Sequence, residues 1–225
     1  METKAAEIVL KDFAGAAGSF FSNVRVPASV VTGSSLGALF SLSNFGSAAE
    51  RSATELNLIK VYRLMCWTSF ILSLNAVITA TIATTSILHG RFDPMAETAY
   101  LLLKREFEYE FVSIRWSMIV GLLLFIDIVA LRLVLEFDMV NNLDRRNTAK
   151  YVLLSSVALV AHLLSVVNGA LYCWSNLTAM TVDFVRIIVA KAINEPSVMQ
   201  SLSIASALGA GYYGVLAATT SSKGK

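Results

Sequence analysis

Four long stretches of this chain carry little or no charge, and polar segments separate them. Residues 64–89 contain no Asp, Glu, Lys or Arg, and residues 197–219 contain none either. Residues 116–135 carry only Asp127 and Arg132, and residues 151–174 have His162 and Asn168 as their main polar interruptions. A helix needs about 20 apolar residues to cross a hydrocarbon core about 30 Å thick. The pattern therefore predicts an all-α, multi-pass membrane bundle with four transmembrane helices.

The segments around these runs have patterns of their own. Val9, Phe13, Ala16, Phe20 and Val24 recur at helical spacing, so residues 1–24 are expected to form an amphipathic helix. It either packs on the membrane domain or lies on the bilayer. Residues 26–48 are rich in Ser, Gly and Ala, and their diluted hydrophobicity favours a re-entrant or interfacial segment, with a fifth span as the alternative. Within the N-terminal region 1–63, residues 47–63 form a polar entry to the first span.

From Asp93 to Asp138 the sequence predicts one helix of about 46 residues, or about 69 Å. Asp93 is its expected N-cap and Pro94 its first-turn residue. The segment Glu106–Phe111 alternates like a strand. Yet Tyr100, Leu103, Phe107, Phe111, Ile114 and Met118 form an apolar stripe at helical spacing, which decides for helix. Lys104 and Glu108 add an i,i+4 pair. The second span would thus extend out of the bilayer as a stalk, with the amphipathic residues 177–193 as its packing partner.

Composition agrees with a lipid setting. The chain has 225 residues, 56% hydrophobic and 15% charged, against about 25% charged in soluble domains. A net charge of +2 gives no basis for nucleic-acid binding. Cys66 and Cys173 form no CxxC pair, which argues against a zinc site or a disulfide framework. No cleavable signal peptide is visible. With both termini inside, inner segments carry Lys4, Lys11, Arg25, Arg51, Lys60, Arg63, Arg145, Arg146, Lys150, Lys223 and Lys225, the last two in the polar tail 220–225. Outer segments carry Arg91, Lys104, Arg105, Arg115, Arg186 and Lys191. The excess of inner cations favours that orientation. Cys66 and Cys173 then lie at opposite faces and cannot pair within one subunit. The sequon at Asn176 sits too close to the membrane for efficient glycosylation.

The candidate chemistry lies inside the membrane. Asn75, Asp127 and His162 each fall about 16 Å into their spans, near a common midplane. Intramembrane ionisable groups face protein or water, because exposing them to lipid costs about 2.5–3.5 kcal/mol on insertion scales. Ser155, Ala158, His162, Ser165 and Gly169 form a small-residue stripe expected to turn His162 inward. The three residues make either a polar path for protons or ions, or a clasp fixing helix register. In the last run, Ala205, Ala207, Gly209, Ala210, Gly211 and Gly214 supply small-xxx-small pairs for helix packing. The same run matches GxGxxG, but no βαβ unit can surround it. Gly33–Gly37 matches GxSxG, and Ser35, Asp127 and His162 follow hydrolase order, but no parallel sheet is available for the elbow.

These features favour a channel- or transporter-like protein, a homo-oligomer because four spans are few for a monomeric carrier. A structural or assembly subunit docking on another membrane protein is the alternative, and an intramembrane serine hydrolase a remote one. No enzyme activity, metal or cofactor is expected. Four-span topology alone carries no function.

Overall fold

The computed structural model describes residues 10–41, 52–137, 146–170, 174–194 and 198–219. Val9, Cys173, Arg145, Pro196 and the tail 220–225 lie outside the described residues. The described chain is helical almost throughout: α1 (Ala14–Phe40), α2 (Ala53–Leu88), α3 (Ala99–Glu106), α4 (Glu108–Glu136), α5 (Arg146–Ala170), α6 (Leu177–Asn194) and α7 (Val198–Thr219). A two-residue antiparallel ladder joins β1 (Lys11–Asp12) to β2 (Met95–Ala96).

Three of these helices, α2, α4 and α5, are long and apolar enough to cross a membrane. They cover most of the first three expected spans, the third as far as Ala170. In α7 the apolar run is shorter, Ile204–Ala217. A membrane location follows from these helices.

The N-terminal region departs from expectation. Residues 14–24 of the amphipathic segment and 26–40 of the segment read as re-entrant lie in one helix, α1, about 40 Å long. Pro27 lies inside it without ending it. Ser29 and Thr32 donate to the carbonyls of Arg25 and Ala28. The helix packs against the membrane domain, as one of the two readings had it. Phe20 and Val24 pack against the core, while Ala17, Phe21, Ala28, Val31 and Ser35 are its buried face.

The continuous helix from Asp93 is also corrected. Asp93 and Pro94 lie in a loop, where the Asp93 carboxylate accepts from the Met95 amide at 3.0 Å. The N-cap is Thr98, whose hydroxyl accepts from the Leu101 amide. The helix then breaks at Phe107 (φ −135°, ψ 33°) and restarts as α4. Phe107 is buried, with its ring 5.8 Å from Phe21 and 5.3 Å from Phe92. Arg105 ties the corner down by donating to the Asp93 and Met95 carbonyls and pairing with Glu106. Tertiary anchoring therefore outweighs the local preference for one long helix. Glu108 and Glu110 stand in the first turn of α4, where they complement its dipole.

The apolar stripe itself is buried as expected at Leu103, Phe107, Phe111 and Ile114. It is covered by α1 and by α6. Trp116 stacks on Phe184 at 4.5 Å, and its indole donates to Thr181. Phe111 stacks on Trp174. Residues 177–193 thus do pair with the outer part of α4, and α1 contributes a second layer.

Candidate functional site

The polar residues of the membrane domain gather on the seam where α1, α2 and α4 meet. In α2, Ser69, Ser73, Ala76, Ala80 and Ala83 are buried at spacings of three and four. In α4, Ser113, Ser117 and Gly121 are buried at spacings of four. Small side chains on both faces let the two backbones approach closely. A Cβ added at Gly121 would lie 2.8 Å from the Ser73 hydroxyl. Helices packed this way in lipid are held by contact and by hydrogen bonds between them.

Those bonds form a short chain. The Ser69 hydroxyl donates to the Gly121 carbonyl at 2.9 Å. It also lies 3.0 Å from the Ser35 hydroxyl. A serine has a single hydroxyl hydrogen. Ser69 gives its own to Gly121, so Ser35 is the donor in the second contact. One serine thereby ties all three helices together. A turn and a half along α2, the Asn75 amide donates to Ser113 at 3.3 Å and to Ser117 at 3.0 Å. Ser35, Ser69, Ser113 and Ser117 are each 0% exposed, and none of the described buried side-chain polar atoms lacks a partner.

The ends of the bundle are closed differently. At one end Tyr62 donates to the Ala38 carbonyl at 3.2 Å, and Cys66, Ile128 and Leu135 pack beside it. Arg132 donates to the Ser41 hydroxyl and pairs with Glu136 at 3.0 Å. At the other end lies an apolar core rich in aromatic rings, including Phe21, Phe107 and Phe111.

The three expected midplane residues do not converge. Cys66 of α2 packs with Ile128 of α4, so Asp127 is level with Cys66. Asn75 is nine residues further along α2, about 14 Å away. Asn75 belongs to the seam. Asp127 is half-buried, between Ile126, which lines the α4–α5 groove, and Ile128, which packs on α2. His162 is exposed on α5, as are Ser155, Ala158, Ser165 and Gly169. The face α5 turns to α4 instead carries Ala149 and Val152, which meet Val134. Of the small residues in α7, Ala205, Ala207, Ala210 and Gly211 are exposed, and Gly209 and Gly214 are half-buried. A Cβ at Gly209, Gly211 or Gly214 would meet nothing within 4 Å.

Ser35 is also accounted for. It is sealed in the seam with its hydroxyl given to Ser69, so it has neither a base nor access to water. Among the described residues no group of three His, Cys, Asp or Glu side chains is placed to hold a metal ion.

The residues that the sequence did not single out are Ser69, Ser73, Ser113, Ser117 and Gly121. Their signal was the run of small residues at spacings of three and four in the first two spans. Asn168 has a further role, accepting from the Leu177 amide at 2.9 Å and so fixing the start of α6. No family model, no curated protein and no solved structure matches this chain.

Proposed function

We propose that this chain is a non-catalytic membrane subunit, a helical scaffold that assembles with other membrane-spanning helices. One observation carries the reading: Ser35, Ser69, Asn75, Ser113 and Ser117 of the α1–α2–α4 seam are hydrogen-bonded to one another or to the Gly121 carbonyl. A conducting path needs polar groups that can exchange partners with water or ions. A closed seam supports a fixed core. The exposed faces of α5 and α7 are then the surfaces left for other helices, either of a second copy or of another membrane protein. Solubilised in mild detergent, the full chain is expected to run in an assembly larger than its own monomer. Recovery only as a monomer, at every detergent tested, would overturn the reading.

The channel reading takes second place. It is favoured by the exposed line of Ser155, His162 and Ser165 on α5, a polar face that a homo-oligomer would turn toward a shared axis. Proton or cation flux in liposomes that falls with His162→Ala would support it, and absence of flux would remove it.

A further inference from the structure

The corner at Phe107 and helix α6 enclose an open cleft of about 500 Å³ at the aromatic end of the bundle. Lys104 from α3, Glu108 and Tyr109 from α4, and Asp183, Arg186 and Lys191 from α6 line it. Three cations therefore face two carboxylates. The lining keeps one net positive charge, and the Asp183 carboxylate is turned to the Trp174 indole, from which it accepts at 3.0 Å. The Lys191 ammonium stands over the Tyr109 ring, 4.5 Å from its centroid. That contact holds the charged end of Lys191 against the wall of the cleft. Lys104 and Arg186 are exposed.

Position matters as much as charge. Trp116 and Trp174 lie against α6 at the base of this region, each donating its indole N–H to an α6 side chain. Tryptophans with this amphipathic placement mark the boundary between lipid and water. Below them α4 enters its long apolar run, interrupted only by Asp127 and Arg132. The cleft is therefore at headgroup depth, with its cations on the water side of the tryptophans. Basic pockets between helices at this depth take phosphate-bearing headgroups, with arginine well suited to pair two phosphate oxygens.

We propose that the cleft binds a phosphate group at the membrane surface, with Arg186, Lys191 and Lys104 as its donors. The phosphate comes from a phospholipid headgroup or from solution, and the two sources separate by experiment. The full-length protein, delipidated in detergent, is titrated with dioctanoylphosphatidylglycerol and the bound lipid counted by native mass spectrometry. The double variant Arg186→Gln/Lys191→Gln weakens binding about tenfold or more. A charge-matched control, Arg63→Gln/Arg91→Gln, removes two exposed cations outside the cleft and leaves binding within about twofold. Should the first variant fail to fold, Lys104→Gln replaces it, with a smaller loss in the same direction. Inorganic phosphate is added as competitor. Displacement of the lipid at millimolar phosphate supports a site filled from solution, and retention of the lipid supports a headgroup site. Equal weakening by the cleft variants and the control, or weakening by neither, would overturn the proposal.

Discussion

Ser69 is the residue on which the α1–α2–α4 junction turns. Its hydroxyl accepts from Ser35 on α1 and donates to the Gly121 carbonyl on α4, and both serines are 0% exposed. Interhelical hydrogen bonds in membranes are worth about 0.6 kcal/mol on average and up to about 1.7. Ser69→Ala removes two of them and leaves Ser35 without an acceptor. It should destabilise the protein by about 1–3 kcal/mol, read by reversible unfolding in bicelles. Ser155→Ala, at an exposed position on α5, should change stability by less than about 0.5 kcal/mol. Asp127 and His162 drew attention in the sequence because they are the costliest residues to place in lipid. The neutral serines hold the helices together, and a serine in a span has no such rarity to announce it. Asn75 was legible as polar and midspan, but its partners Ser113 and Ser117 lie in a segment that was expected to straddle the membrane surface.

At the scale of helices, close approach decides which pairs form the core. Gly121 faces Ser73 so tightly that a methyl group at 121 would press on the Ser73 hydroxyl. Gly121→Ala should therefore cost about 1–3 kcal/mol, and Ser73→Ala introduced with it should recover part of that loss. A double-mutant cycle with no coupling would show that the two helices do not meet there. The glycines of α7 make the opposite case, since side chains there would enter open space. In the sequence, small-residue spacing drew attention in α5 and α7, although α2 and α4 carry it too, and spacing alone does not say which stripe is matched by another. The break at Phe107 shows the same limit. Its apolar period fits a continuous helix, while the rings of Phe21 and Phe92 pack on Phe107 and Arg105 bonds the 93–95 loop, and these contacts hold Phe107 in a non-helical conformation. The long uncharged runs were legible because burial in lipid demands them over a whole span. The helical state of α1 beyond residue 24 was not, since Ser, Gly and Ala residues there dilute the hydropathy by which a span is read.

At the scale of the whole molecule, α1 changes the expected topology. It lies antiparallel to α2 along most of its length. Ala17 and Phe21 share a core with Ala80 and Ala83, Ser35 meets Ser69, and Ala38 meets Tyr62. Residues 11–13 are bonded to residues 94–96, so the start of α1 and the loop after α2 share one side. If α2 crosses the bilayer, α1 crosses beside it. Both termini inside was the expectation from four spans. With α1 crossing, residues 1–13 join the side of Arg91 and Lys104, and the excess of cations on one side largely disappears. Accessibility tags at residue 2 and at residue 91 should report the same side of the membrane, and a tag at residue 52 the opposite side. Tags at residues 2 and 52 on one side would rule out a crossing α1.

The distinction between a closed seam and a wet path can be measured directly by thiol accessibility. In a background with Cys66→Ser and Cys173→Ser, single cysteines are placed at Ser69 and Ser117, with Ser86, exposed near the end of α2, as the reactive control. The protein in liposomes is treated with a charged methanethiosulfonate reagent on each side. The seam as described here leaves Ser69→Cys and Ser117→Cys unmodified from either side while Ser86→Cys reacts. Modification of either seam position at the rate of the Ser86→Cys control would show water between the helices and contradict the closed-scaffold account.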